Sequence, residues 1–151
     1  MIKKGEPFPE FELPNEIGEK ISLKNLVEKG PAVIFFYPKD NTTGCTREAC
    51  EFRNSEAEFN SLNCSVVGVS SDSQKSHRSF KQKNNLNYPL LSDTGGRLRR
   101  KARIPSSFMG LLPGRVTFVI DRDGKVAHVV NNQFDFKVHT KEAINVLKTL
   151  N

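Results

Sequence analysis

The sequence predicts an α/β protein, a three-layer α/β/α sandwich around a central mixed sheet. Segments of strand and helix character alternate through most of the chain, which calls for helices on both faces of a sheet. The chain then finishes with a tight hairpin and one amphipathic helix, so the sheet cannot be purely parallel. The run Ala32-Val33-Ile34-Phe35-Phe36 is apolar without alternation, the pattern of a strand buried on both faces. A length of 151 residues is enough for one domain with a real core, and there are no repeats, low-complexity tracts or linkers. Residues 1–151 are therefore expected to form one domain.

The elements follow in order. Residues 1–20 are rich in Pro, Gly and Glu; Phe11-Glu12-Leu13 reads as a short strand, and residues 15–20 as a turn into a second one. Ser22 is placed to cap a brief helix, Leu23 to Lys29, which Gly30-Pro31 ends. After strand 32–37 and a polar loop, Ala49, Phe52, Phe59 and Leu62 recur at helical spacing, predicting a helix from Cys45 to about Asn60. Cys64 to Ser70 reads as a second buried strand, and Asp72 or Ser73 opens a polar helix to about Asn85. Tyr88 to Leu91 is a short extended piece, Thr94 to Ala102 a basic helix, and Ile104 to Gly114 a loop. Arg115 to Asp121 is a strand, Asp121-Arg122-Asp123-Gly124 a hairpin turn, and 125–130 its returning strand. Lys137 to Leu150 is an amphipathic helix with Ala143, Ile144, Leu147 and Leu150 on one face.

The formal charge is +6, with Arg97, Arg99, Arg100, Lys101 and Arg103 crowded into one stretch. No aromatics interleave with these cations and no nucleic-acid motif accompanies them, so a solvated helix face is favoured over a phosphate-binding stripe. Docking of an acidic protein ranks between the two. Three cysteines in a chain of this length argue for reduced thiols with specific jobs, not for a secreted disulfide scaffold. There is no signal-peptide pattern at the start and no apolar run that spans a bilayer. A soluble cytoplasmic protein is expected, or one of the plastid stroma or lumen if a targeting peptide has been removed.

Cys45 stands where a strand ends and a helix begins. Backbone N–H groups at a helix start lack internal partners and carry partial positive charge, which favours the thiolate, the nucleophilic form of cysteine. Cys50 lies five residues on. In a regular helix the two Cα atoms would be roughly 8–9 Å apart, beyond the ~7 Å limit for a disulfide. The pair can bond only if the first turns unwind, which suits a bridge formed in turnover. Two ordinary small buried residues are the bland alternative, weakened by the small polar neighbours Thr42, Thr43, Gly44 and Thr46. A zinc site is disfavoured because Cys64, His77, His128 and His139 are scattered, and no metal or cofactor is expected. The spacing is also wider than the Cys-x-x-Cys of dithiol oxidoreductases. Cys64, opening a buried strand, is most simply a core residue.

These residues carry a resemblance. Pro38-x-x-x-Thr42-x-x-Cys45 resembles the active-site signature of peroxiredoxins, and Cys50 matches the resolving position of the peroxiredoxin Q / bacterioferritin comigratory protein subfamily. Gly5-x-x-Phe8-Pro9, Gly68-Val69-Ser70-x-Asp72, Leu90-Leu91-Ser92-Asp93, Pro113-Gly114-Arg115-x-Thr117-Phe118 and Asn131-Asn132-Gln133-Phe134 resemble the same subfamily in the same order, over essentially the full length. The resemblance implies a thioredoxin-like fold, reduction of hydrogen peroxide and organic hydroperoxides, an antioxidant role, recycling by thioredoxin, and a monomer. It makes Cys45 the peroxidatic cysteine and Cys50 the resolving one, joined as a Cys45–Cys50 disulfide in turnover. Pro38, Thr42 and Arg115 complete the site, with Glu48 and Gly44 in support.

The chemistry explains the residue types. Peroxide reduction is attack of a thiolate on one oxygen while the other leaves carrying negative charge. It needs donors aimed at that charge, for which the Arg115 guanidinium, the Thr42 hydroxyl and the backbone N–H groups of residues 43–45 are candidates. Arginine suits the place because its fork of donors is rigid and permanently charged. Pro38 and the run Phe35-Phe36-Tyr37 would limit water. Taken singly, Pro38 can be a strand terminator, Thr42 a helix cap and Arg115 a surface charge. Two other classes stay open: a general thiol–disulfide oxidoreductase, and a binding module using the basic helix.

Overall fold

The computed structural model describes residues 1–107 and 112–150. In chain order the elements are β1 (Glu12–Pro14), β2 (Lys20–Ser22), α1 (Leu23–Val27), β3 (Ala32–Phe36), α2 (Thr43–Asn54), α3 (Glu56–Ser61), β4 (Ser65–Ser70) and α4 (Gln74–Lys83). Then come β5 (Leu90–Ser92), α5 (Arg97–Lys101), β6 (Ser106–Ser107), β7 (Leu112–Pro113), β8 (Val116–Ile120), β9 (Val126–Asn131) and α6 (Phe136–Leu150). The predicted loop 104–114 thus contains two short strands, and its residues 108–111 lie outside the described residues.

The central sheet has the order β5-β4-β3-β8-β9. β3, β4 and β5 are parallel; β8 runs antiparallel to β3, and β9 to β8. β3 is the middle strand, and all five of its residues are inaccessible to solvent, as its unbroken apolar run requires. Side chains alternate between its faces. Ala32, Ile34 and Phe36 pack beneath Leu23 and Leu26 of α1 and Leu98 of α5. Val33, Phe35 and Tyr37 pack beneath Cys45, Ala49 and Phe52 of α2, Phe59 of α3, Phe80 of α4 and Ala143 and Leu147 of α6. Helices on both faces of a mixed sheet make the three-layer sandwich the sequence predicts. Phe35 stacks on Phe52 with centroids 4.3 Å apart, fixing α2 over the strand that leads into it.

Three predicted boundaries move. The helix expected from Cys45 starts at Thr43 and breaks at Ser55, whose φ of −97° and ψ of 8° leave the α region. Asn54 and Ser55 are weak helix formers whose side chains compete for the backbone, so α2 and α3 are separate. The basic helix is shorter than predicted because Asp93 caps it from a turn away, its carboxylate accepting from the N–H groups of Leu98 and Arg99. Leu150, expected on the apolar face of α6, is 42% exposed. No helix among the described residues is long and apolar enough to cross a membrane.

Candidate active site

The site begins where β3 stops. Tyr37, the residue after β3, is still buried, and its N–H donates to the Val69 carbonyl at 3.1 Å. The Tyr37 hydroxyl donates to Asp40 Oδ1 at 2.6 Å. Asp40 Oδ2 meets His77 Nδ1 at 2.7 Å and accepts from Ser76 Oγ at 2.9 Å, while the Asp40 N–H donates to Asp72 Oδ2 at 2.8 Å. The loop carrying Pro38 and Thr42 is thereby fastened to α4 and the end of β4. Asp40, Asp72 and His77 lie close enough for ligand atoms to share an ion, within 4.8 Å. Each of them, however, already has a hydrogen-bond partner: His77 Nε2 faces the Leu91 carbonyl at 3.0 Å, and Asp72 Oδ2 also accepts from Ser70. The cluster reads as a fastening of the loop.

Thr42 is the residue before α2, in extended conformation, and its carbonyl accepts from the Thr46 N–H at 2.9 Å. Its hydroxyl donates to the Lys39 carbonyl at 3.0 Å and does not cap the helix. Pro38 is half-buried beside it.

Cys45 is the third residue of α2 and only 1% exposed. Arg115, immediately before β8, is 4% exposed, so the charge expected at the surface or in a site is inside. Its Nη2 donates to Cys45 Sγ at 3.4 Å and its Nη1 to Glu48 Oε1 at 2.8 Å. Its Nε donates to the Gln133 carbonyl at 3.1 Å, and its guanidinium lies 4.9 Å from the centroid of Phe136. Burial by itself would lower the Arg115 pKa, but Glu48 and Cys45 outweigh it and the net direction is upward. The guanidinium is a fixed cation that donates to a carboxylate, a carbonyl and one thiol, three of its five N–H groups. Gly44 makes the approach possible: a Cβ there would stand 2.8 Å from Phe136 Cζ and 3.3 Å from Arg115 Nη2.

Glu48 follows Cys45 by three residues and so shares its helix face. It is wholly inaccessible, and burial pushes its carboxyl up to about 7 against the pull of Arg115. Its second oxygen makes no hydrogen bond and lies 3.5 Å from His139 Nδ1. His139 Nε2 faces the Asn132 carbonyl at 2.7 Å and therefore carries a hydrogen, while Nδ1 is 2.7 Å from the Thr117 hydroxyl. Burial, foremost, holds the His139 pKa below its ordinary value, so the ring is neutral. Thr117, His139 and Phe136 thus line the site, and the sequence assigned none of them a role there, Thr117 standing only within a family motif. Their signal was periodicity: Thr117 is a polar residue inside an apolar strand, and His139 precedes Ala143 by four on the buried face of α6.

Cys50 is half-buried on the same helix, and α2 runs unbroken between the two thiols, both of which are free. Beside Cys50 opens a groove of about 740 Å³ lined by Arg47, Glu51, Phe134, Phe136 and Lys137 among others. Cys64 stands just before β4. Burial pushes its thiol up to about 12, and the thiol's hydrogen bond, at 3.4 Å, goes to the Ser65 carbonyl.

A thiol held by a buried arginine at a strand-to-helix junction of a mixed α/β/α sandwich defines a thiol enzyme of thioredoxin-like fold. The sequence pattern of the AhpC/TSA family matches residues 4–129. Chloroplastic peroxiredoxin Q of Suaeda salsa is 43% identical over 149 residues, which cover 99% of this chain and 69% of that protein. Peroxidoxin BcpB of Mycobacterium tuberculosis superposes with a TM-score of 0.93 at 37% identity, covering 100% of this chain and 99% of the other. Peroxiredoxin Q of Xanthomonas campestris gives 0.84 at 31% identity, covering 92% and 90%. The chain belongs to the AhpC/TSA family and, within it, to the peroxiredoxin Q / bacterioferritin comigratory protein group. It is a peroxidase of the peroxiredoxin class.

Proposed function

We propose that Cys45 is the peroxidatic thiol of this enzyme and that Cys50 resolves it. The observation that carries the reading is the contact of the buried Arg115 guanidinium with the Cys45 thiol, 3.4 Å away at the first turn of α2. The Cys45 thiolate attacks the terminal oxygen of a hydroperoxide. The O–O bond breaks, an S–O bond forms, and the other oxygen leaves as hydroxide or alkoxide and takes up a proton. Arg115 and the N–H groups at the start of α2 stabilise the charge on the leaving oxygen. Glu48 and Phe136 hold the guanidinium in place, Gly44 leaves it room, and Pro38 shields one side. The Thr42 hydroxyl, which donates to the Lys39 carbonyl, gives up that bond to meet a bound peroxide.

The product at Cys45 is a sulfenic acid. The Cys50 thiol displaces its hydroxyl as water, leaving a Cys45–Cys50 disulfide. An intact α2 keeps the two too far apart, so its first turns must open before the bond forms. A dithiol protein of the thioredoxin kind then restores both thiols by exchange. Hydrogen peroxide and organic hydroperoxides are both accepted. The open groove beside Cys50 supports the larger substrates, as does the 30% identical bacterioferritin comigratory protein of X. campestris, described for its alkyl peroxide reduction activity. The plant relatives are chloroplastic proteins, and a reducing compartment, cytoplasm or stroma, supplies the reductant this cycle needs.

The test is single-turnover oxidation of the reduced protein, with Cys50→Ser alongside. The variant is expected to consume one equivalent of peroxide as fast as the parent and to hold a dimedone-reactive sulfenic acid at Cys45. A variant that keeps forming an intramolecular disulfide removes Cys50 from its role. Amide exchange of residues 45–52 is expected to accelerate in the disulfide form; equal protection in both redox forms contradicts the opening of α2.

A further inference from the structure

The basic stretch 97–103 is not uniform. Arg97, Arg100, Lys101 and Arg103 are exposed, but Arg99 turns inward. Its Nη1 donates to the Gly114 carbonyl at 2.9 Å and its Nη2 to the Tyr37 carbonyl at 3.0 Å. These two carbonyls belong to the residues immediately before Arg115 and Pro38. The β3–β8 ladder ends at the pair Phe36 and Val116. Beyond it the strands part, and Pro38 has no N–H to continue the pairing. Arg99 closes that gap with a rigid two-pronged fork that no other side chain can duplicate. Arg99 is itself held: its backbone N–H donates to Asp93 Oδ2 at 3.0 Å, and its guanidinium lies 5.7 Å from the centroid of Phe36. Burial, foremost, lowers its pKa, against the opposing pull of Asp93 and Cys45.

We infer that Arg99 is a positioning residue for the peroxidase reaction: by bridging the carbonyls of Tyr37 and Gly114 it fixes the separation between the Pro38 loop and Arg115, across which the peroxide must sit. This rests on the reading of Cys45 and Arg115 given above. A lysine can keep the charge but reaches one carbonyl at a time, so the two contributions separate.

The experiment measures the rate of hydrogen peroxide reduction by the reduced protein, and the pH profile of Cys45 alkylation, for Arg99→Met, Arg99→Lys and Arg100→Met. A misplacement of about 1 Å costs up to about a hundredfold in rate, so Arg99→Met is expected to be at least about tenfold slower, with its alkylation midpoint moved to higher pH. Arg99→Lys is expected to recover the midpoint but not the rate, a split that a merely structural loss does not produce. Arg100→Met, altering an exposed neighbour, is expected to match the parent in both. An Arg99→Lys protein as fast as the parent overturns the inference, as does an Arg99→Met protein unchanged in rate. If Arg99→Met does not fold, the rate of Arg99→Lys decides alone. Failure of the underlying reading shows separately, as a parent protein whose Cys45 does not react.

Discussion

Cys45 and Cys64 are buried to nearly the same degree, 1% and 6% exposed, yet the chain treats them oppositely. Cys64 stands just before β4, where its thiol donates to the Ser65 carbonyl and a backbone hydrogen bond from Val33, which favours the thiolate, is outweighed by burial. Its pKa is pushed up to about 12 by burial, so it stays a neutral core residue at any physiological pH. Cys45 loses as much water but faces a helix start and an arginine that donates to it. On the reading proposed for Cys45, burial alone does not silence a thiol. What decides is whether the oriented donors and positive charge in the surroundings that replaced water outweigh the cost of burial.

The largest effect that bears on this contrast is removal of each sulfur. Cys45→Ser is expected to lower peroxidase activity by at least about a thousandfold, the scale of losing a nucleophile, while Cys64→Ser stays near the parent in the same peroxide-consumption assay. Comparable losses in both erase the distinction. Next is the cation. Arg115→Met is expected to slow Cys45 oxidation by about a hundredfold to a thousandfold, as for a lost donor to developing charge, and to make Cys45 resemble Cys64 toward alkylating agents.

The third effect concerns pH. The Glu48 carboxyl, raised from 4.5 to about 7, holds its proton in the folded protein while the unfolded chain has released it. Stability from this group is therefore greatest below pH 4.5 and falls as pH rises toward and through 7. Over the same interval the ionising carboxylate offsets the charge that Arg115 presents to Cys45. The alkylation profile of Cys45 is expected to bend near pH 7, and Glu48→Gln to straighten it; an unchanged bend excludes Glu48 as its source. Smaller again is Gly44→Ala, whose added methyl meets Phe136 at 2.8 Å. Overpacking of this kind costs about 1–3 kcal/mol, and the displaced Arg115 is expected to slow peroxide reduction several-fold, read by thermal unfolding and stopped-flow oxidation together.

The layer architecture and most elements were legible in the chain because they rest on local periodicity and apolar runs, such as 32–36. The seven candidate site residues, Pro38, Thr42, Gly44, Cys45, Glu48, Cys50 and Arg115, were picked out through family motifs and through the chemistry a thiolate requires, and their roles are those of the proposed function. What could not be read were facts of long-range packing. That Arg115 is interior depends on β8 lying beside β3 and on Phe136 of α6 closing over it. His139 and Thr117 join Glu48 across 69 and more residues of sequence, and no local pattern ties a helix histidine to a strand threonine. Arg99 was hidden for a different reason: four neighbouring cations disguised one that points inward. The break at Ser55 reflects two weak helix formers whose combined effect depends on how Phe59 must reach the sheet.

The most direct measurement is an intact-mass and peptide map of the fully reduced protein after one equivalent of hydrogen peroxide. The account predicts loss of two hydrogens, a Cys45–Cys50 linkage, and a Cys64 thiol that alkylates only after unfolding. A linkage that includes Cys64, or oxidation that leaves Cys45 untouched, contradicts it.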